Sequence, residues 1–498
     1  MLENIIYGLL QSLNPFNLFI MILATASGIM IGALPGLSAT MGVALLVPLT
    51  FGMEPASGLL MLGAMYCGAI YGGSNSAILI NTPGTPSAVC TTFDGYPLTL
   101  KGKAGDALMT ALVASVIGGL IGSVFLLVGT EPLAQIALKF GSPEYFWLAI
   151  FGLTIIASLC EKNIIKGLFA ATIGLLLATI GIDPITGHER FIFGIRDLIA
   201  GISTIPAMIG LFSFTQVLVL IDENANYLAK YDPEKGIMKK IFKKLLSNYK
   251  ILLLRSSILG SIVGILPGAG GNIASFVAYN ESKRFAKDAD EYGKGAIGGV
   301  ASSESANNAT VSSSLIPLLS LGIPGSPVAA VLMGGLLAHG LTPGMKLFTQ
   351  AGDITYTFIM GLFVANILLL FLGAVGMKLF VKVLSVPTHY IAVIVAVLSV
   401  IGSYAIRNSM YDVLIMLISG VIGFVFLKLN IEPGPLVLGL ILGSIVEVNF
   451  SQGLLMSSAV GHWSAVFIFR PVCVVMILLC ILSVISPFIN RLLKNRKD

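Results

Sequence analysis

Long apolar runs set the terms for this chain. Segments 107–129, 164–182, 354–377, 388–405 and 464–490 each have the length of a bilayer span, about 18 residues or more, and offer no charged face to water. Mean hydropathy is +0.94 over 498 residues and only 11% of residues are charged. A soluble multidomain protein is therefore excluded. Spanning helices satisfy their own backbone groups, so an all-α polytopic integral membrane protein is expected, with about 11–12 membrane segments.

The remaining inventory narrows the function. The five cysteines are odd in number and unpatterned, and the four histidines are scattered, so neither a disulfide framework nor a metal site is indicated. There is no nucleophile–base set, HExxH or paired-aspartate motif, so no catalytic residue is assigned and an enzyme is not expected. Nothing points to nucleic acid. No Lys or Arg precedes Lys101, so the charged start of a cleaved signal peptide is not expected.

The chain repeats itself. GIMIGALPG at 28–36 matches GSIVGILPG at 260–268, and Asn75 falls on Asn307 at the same spacing. Thr82-Pro83-Gly84-Thr85-Pro86 matches Ile323-Pro324-Gly325-Ser326-Pro327 through a PG[TS]P core, and Ile182-Asp183-Pro184 matches Ile431-Glu432-Pro433. The expected organisation is a lead-in (1–16), a first transmembrane repeat (17–221), a basic cytoplasmic connector (222–250), a second repeat (251–463), and an extra helix with a basic tail (464–498). The connector's KKIFKKLL stretch is expected to lie on anionic membrane lipid. Placing the lysine-rich connector and tail inside puts most of the 29 basic residues on the cytoplasmic side. The two repeats are then inverted and the C-terminus is cytoplasmic.

Each half carries two interruptions that no continuous helix accommodates: Pro35-Gly36 and Pro83-Gly84, then Pro267-Gly268 and Pro324-Gly325. Broken backbone survives at membrane depth only where protein or a polar cavity satisfies it. Paired breaks in two halves point to a transporter's solute site, with re-entrant hairpins or half-helices aiming N–H groups at an anion. Asn75 and Asn307 are the first candidates for solute contact, followed by Asn308, Ser74, Ser76, Thr82, Ser38, Thr40 and Asn272; for each the alternative is a helix cap. Glu304 is the coupling-ion candidate, since a carboxylate at membrane depth costs about 2.5–3.5 kcal/mol.

Five long stretches carry a resemblance: GALPGLSATMGVALLVPLTFGM (32–53), AIYGGSNSAILINTPGTPSA (69–88), FDGYPLTLKGKAGDAL (93–108), GVASSESANNA (299–309) and GIPGSPVAAVLMGGLLAHGLTPG (322–344). They closely resemble the large, TctA-type membrane subunit of the tripartite tricarboxylate transporters, and the likeness runs through nearly the whole chain. One departure is Ser303-Glu304-Ser305, where the family usually has Pro-Glu-Ala; the glutamate and both asparagines stay in place. The resemblance implies ion-gradient-driven uptake of citrate-like or other small carboxylates across a bacterial-type inner membrane. It also implies two partners, a small membrane subunit and an extracytoplasmic solute-binding protein. No cofactor is implied beyond a coupling ion, for which Na+ is a candidate alongside the proton. A transporter of another small solute such as an amino acid, and an anion channel, are the alternatives.

Overall fold

The computed structural model describes residues 2–34, 37–154, 164–183, 186–222, 236–266, 270–383, 388–460 and 462–494. Pro35, Gly36, Pro267, Gly268 and connector residues 223–235 lie outside the described residues. The first half runs α1 (Leu2–Ser12), α2 (Pro15–Ala33), α3 (Ala39–Thr50), α4 (Pro55–Ile80), a 3-10 turn (Pro86–Ala88), α5 (Val89–Leu100), α6 (Ala104–Ala137), α7 (Ser142–Thr154) and α8 (Ile164–Ala178). A two-residue hairpin, β1 (Gly181–Ile182) with β2 (Glu189–Arg190), precedes α9 (Thr204–Asp222), whose middle is a π-helix at Ile209–Phe214.

The second half runs α10 (Ile237–Asn248), α11 (Lys250–Ile265), α12 (Gly270–Phe285), α13 (Ile297–Ser313), α14 (Leu315–Leu321), α15 (Pro327–Ala338), α16 (Met345–Thr349) and α17 (Gly352–Val383). It closes with α18 (Thr388–Arg407), α19 (Met410–Lys428), α20 (Gly434–Val460), α21 (Trp463–Phe467) and α22 (Pro471–Lys494). Among the described residues, 8 helices are long and apolar enough to span a membrane, and shorter apolar helices of 10–17 residues accompany them. The protein is an all-α polytopic membrane protein.

The chain forms two compact units, and each draws on both halves: Met1–Ala134 with Gln216–Gly402, and Gln135–Thr215 with Ser403–Asp498. The second unit is held by polar ties at helix ends. Trp147 Nε1 donates to the Phe467 carbonyl at 2.6 Å, Arg470 pairs with Glu144 at 2.7 Å, and Arg407 Nε donates to Asp412 at 2.9 Å. Arg190 joins β2 to α20 by pairing with Glu447, and lies 3.3 Å from Asp183.

The first unit contains both PG[TS]P breaks, and its helices meet at glycines. A Cβ on Gly32 would lie 2.0 Å from the Ala69 carbonyl oxygen, and one on Gly28 2.5 Å from that of Met65. In the second half, Gly260 meets Ala306 O at 2.4 Å, and Gly264 meets Thr310 Cα at 3.0 Å. Small residues let helix backbones touch where lipid supplies no hydrophobic driving force.

The breaks themselves repeat in detail. Asn81 ends α4 in the left-handed region (φ 57) and Gly322 ends α14 likewise (φ 72). Thr82 N then donates to Ser76 O at 3.4 Å, and Ile323 N to Pro317 O at 3.2 Å.

These matches correct the register read from the sequence. Pro83 and Pro324 stand nine residues further apart than Pro35 and Pro267, and the α2–α4 and α11–α13 crossings follow the larger spacing. In the folded chain Asn307 is therefore the counterpart of Tyr66, and Asn75 that of Ile316. On α10, Ile237, Ile241 and Leu245 are buried in one cluster with Leu253, Ile297 and Val300, while Phe242, Leu246, Lys239, Lys240 and Lys243 are exposed.

One of the tight backbone crossings gives a stability test. A Cβ on Gly118 of α6 would fall 2.0 Å from the Ser305 carbonyl of α13, whereas one on Gly52 meets nothing within 4 Å. Gly118→Ala is expected to destabilise the protein by about 1–3 kcal/mol, and Gly52→Ala to change it by under about 0.5 kcal/mol. Thermal unfolding of the purified protein in detergent distinguishes them.

Candidate functional site

The candidate site gathers around α13. All its residues, Ile297 to Ser313, are buried, although its sequence IGGVASSESANNATVSS is largely polar. Most hydroxyls are satisfied by the helix itself. Ser302 and Ser303 donate to Gly299 O, Thr310 to Asn307 O, and Ser313 to Ala309 O, at 2.6–3.1 Å. Glu304, Asn307 and Asn308 are the side chains left to reach outward.

Glu304 is fully buried, and among the described residues no basic side chain pairs with it. Thr91 of α5 donates to its Oε1, and Ser115 of α6 and Asn308 Nδ2 each lie 3.3 Å from its Oε2. Asn308 Nδ2 also donates to Ser115 Oγ at 2.8 Å, and Ser303 Oγ lies 3.3 Å from Thr91 Oγ1. The Glu304 carboxylate oxygens and the hydroxyl oxygens of Thr91, Ser115 and Ser303 thus gather from three helices, with the Asn308 amide N–H turned toward the carboxylate. Hard cations such as Na+ take oxygen ligands, so this donor set suits one.

Asn307 stands beside Glu304 and also reaches the start of α12. A Cβ on Gly271 would lie 2.6 Å from Asn307 Oδ1, 3.0 Å from Ser87 Cβ and 3.3 Å from Thr310 Oγ1. The asparagine therefore stands where the start of α12 meets the turn after the first PG[TS]P break. It is fully buried, and neither end of its amide makes a hydrogen bond of ordinary geometry. Asn75, on α4, shares both properties. Buried amides without partners cost about 1–3 kcal/mol per group. Among the described residues, Asn75 and Asn307 carry that cost on both amide atoms.

The other expected residues divide. Ser38 caps α3, its Oγ accepting from Met41 N at 3.1 Å, while Thr40 is buried in the first turn. Ser74, Ser76 and Thr82 donate to nearby carbonyls, those of Tyr71, Gly73 and Ile80. Asn272 is exposed at the start of α12. Gly84 is packed so that a Cβ would lie 2.0 Å from Gly32 O, which confirms why the first break needs glycine there; at Gly325 the nearest atom is Ser314 O at 2.7 Å.

The family model described as the Tripartite tricarboxylate transporter TctA family matches residues 18–438. The chain belongs to that family. It is 36% identical over 498 residues to an uncharacterized 52.8 kDa protein in the TAR-I ttuC' 3' region of Agrobacterium vitis, covering 98% of this chain and 97% of that one. It is also 36% identical over 234 residues to an uncharacterized protein in the TAR-II ttuC' 3' region of the same organism, covering 46% of this chain and 96% of that one. Membership makes it a permease subunit of the tricarboxylate transporter class.

One residue of this TctA-family permease escaped sequence reasoning. Asp94 on α5 is fully buried, its Oδ1 accepting from Gly293, Gly295 and Ala296 N at 2.8–2.9 Å and its Oδ2 from the Tyr279 hydroxyl at 2.9 Å. The available signal was an aspartate inside an otherwise apolar and aromatic FDGYP stretch. Unlike Glu304, its main partners are backbone N–H groups, which have no lone pair to offer a cation. Asp94 is a structural latch for the entry to α13. Asp94→Ala strands those donors and is expected to cost about 3 kcal/mol or more. A fall in melting temperature, with faster amide exchange at Gly295 and Ala296, checks this.

Proposed function

We propose that this permease performs ion-gradient-driven uptake of small di- or tricarboxylates, with Asn307 and Asn75 contacting the solute and Glu304 holding the coupling cation. The observation that carries the reading is the pair of fully buried, unpartnered asparagine amides in a membrane protein of this family. An amide N–H donates to a carboxylate, and the start of α12 adds backbone N–H groups beside Asn307 without any buried Lys or Arg. Ser74, Ser76 and Thr82 flank Asn75 on the chain, and Thr40 and Asn272 stand at the starts of α3 and α12, so they are the second rank of contacts. Glu304 lies one turn of α13 from Asn307, so cation and solute occupy adjacent faces of one helix.

The remaining elements of the proposal follow from the family. The permease works with a small membrane subunit and an extracytoplasmic solute-binding protein in a bacterial-type inner membrane. Its C-terminus is cytoplasmic. The two repeats are inverted, as the distribution of basic residues favours.

Uptake of labelled citrate and succinate into proteoliposomes containing this chain with both partners tests the reading. Wild type is expected to accumulate one of them under an inward Na+ or proton gradient. Glu304→Gln keeps the side-chain shape and is expected to abolish accumulation while leaving solute exchange in place. Asn307→Ala is expected to raise KM at least about tenfold. Accumulation by Glu304→Gln equal to wild type would remove the carboxylate from the coupling role.

A further inference from the structure

Under the register of the folded repeat, Tyr66 of α4 occupies the place that Asn307 occupies in α13. Each of the two side chains reaches across to the break of the opposite half. Asn307 and Ser87, the latter in the turn after the first break, both stand against Gly271 at the start of α12, and Ser87 Oγ lies 3.2 Å from Thr85 Oγ1. The Tyr66 hydroxyl meets the second break, at 3.5 Å from Ser326 Oγ and 3.4 Å from Ser314 Oγ. Ser326 is the counterpart of Thr85, and it caps α15 through a bond from Ala329 N at 3.1 Å. Tyr66 is 3% exposed, and its two contacts are at the outer limit of hydrogen-bond length for O–H donors. Its hydroxyl therefore has bonding capacity left over, as the Asn307 amide has.

We infer that Tyr66 is a specificity-determining residue: with Ser314 and Ser326 it forms the second end of a two-ended anion site whose first end is Asn307 at the start of α12. Ser314 stands seven residues along from Asn307, about 10 Å at 1.5 Å per residue, a span suited to a solute with an oxyanion at each end. One end binds through an amide and the other through a phenol and two serines. Such a site accepts a dicarboxylate or tricarboxylate and disfavours a solute with one carboxylate, because the second set of donors then goes unused. The inference rests on the carboxylate reading of the Asn307 site.

The test is equilibrium binding of labelled succinate and of succinamate, in which one carboxylate is an amide, to the purified full-length chain in detergent. Wild type is expected to favour succinate. Tyr66→Phe removes only the hydroxyl and is expected to weaken succinate about tenfold while leaving succinamate within about twofold, so that the preference collapses. Tyr71→Phe is the control: this tyrosine is on the same helix, with its hydroxyl against Met377 Sδ, and its removal should leave the preference intact. Equal weakening of both ligands by Tyr66→Phe, or no weakening, overturns the two-ended site. If Tyr66→Phe fails to fold, Ser314→Ala must produce the same collapse, and an unchanged preference there overturns the proposal too. Absence of carboxylate binding by wild type would defeat the underlying carboxylate reading; wild-type binding with an unaltered Tyr66→Phe defeats this inference alone.

Discussion

A largely polar helix with no exposed residue is the constraint on which the first unit depends. Helix α13 cannot be buried by hydrophobic attraction, because it has little apolar surface to contribute. It is enclosed by backbone approach instead. Gly118 and Gly122 of α6 lie against Ser305 and Ala309, and Gly260 and Gly264 of α11 lie against Ala306 and Thr310. At those distances water is excluded, so each hydroxyl must be satisfied locally, and serine and threonine manage this by bonding carbonyls one turn back. Glutamate and asparagine are too long for all their polar atoms to be met that way. The same packing that makes the helix possible therefore pushes Glu304, Asn307 and Asn308 outward into polar company.

The second half carries nine more residues than the first between its two breaks, and the structure shows where they go. Part lengthens α12 to 16 residues, against 12 in α3, and the rest forms the approach to α13, including the 3-10 turn Ala289–Glu291. A connection of that length adds conformational freedom beside the helix that most needs a fixed position. Asp94 removes that freedom by gripping Gly293, Gly295 and Ala296 from α5. The first half has no extra residues at the start of α4, and Gly335, which occupies the place equivalent to Asp94, offers no side chain there. The latch is an answer to the asymmetry of the repeat, and both belong to the same local problem of holding α13 in register against its neighbours.

Several of these features were legible in the sequence, and the limits have physical causes. The PG[TS]P breaks were readable because Pro and Gly act through the backbone, and Asn81 and Gly322 do end their helices in the left-handed region there. SSESANNA was readable as a segment needing enclosure because a polar run inside apolar sequence needs a reason, and its helix is buried throughout. Pairing Asn75 with Asn307 failed because sequence spacing counts residues, whereas the fold counts helix crossings, and an insertion displaces one count but not the other. The apolar side of α10 was legible, but periodicity does not say what covers it; Ile237, Ile241 and Leu245 are covered by protein, and Phe242 and Leu246 are exposed beside the lysines. Asp94 was silent because its partners are backbone groups far along the chain, which no side-chain pattern announces.

Neither sequence half is a folding unit, and this bears on how the two kinds of packing are distributed. The chain passes between units near residues 134, 215 and 402, so each half contributes first to one unit and then to the other. Glycine-mediated crossings around the buried carboxylates Glu304 and Asp94 characterise the first unit. In the second, Gly174 and Gly439 bring α8 and α20 together, but the polar side chains are committed to ion pairs: Arg190 with Glu447, Arg407 with Asp412, Arg470 with Glu144. A carboxylate already matched by a guanidinium has little affinity left for a mobile cation, whereas Glu304 is matched only by neutral donors. Asp94 and Glu304, by contrast, are both met by neutral groups, and the kind of neutral partner separates them: mainly backbone N–H groups for Asp94, side-chain hydroxyls and an amide for Glu304.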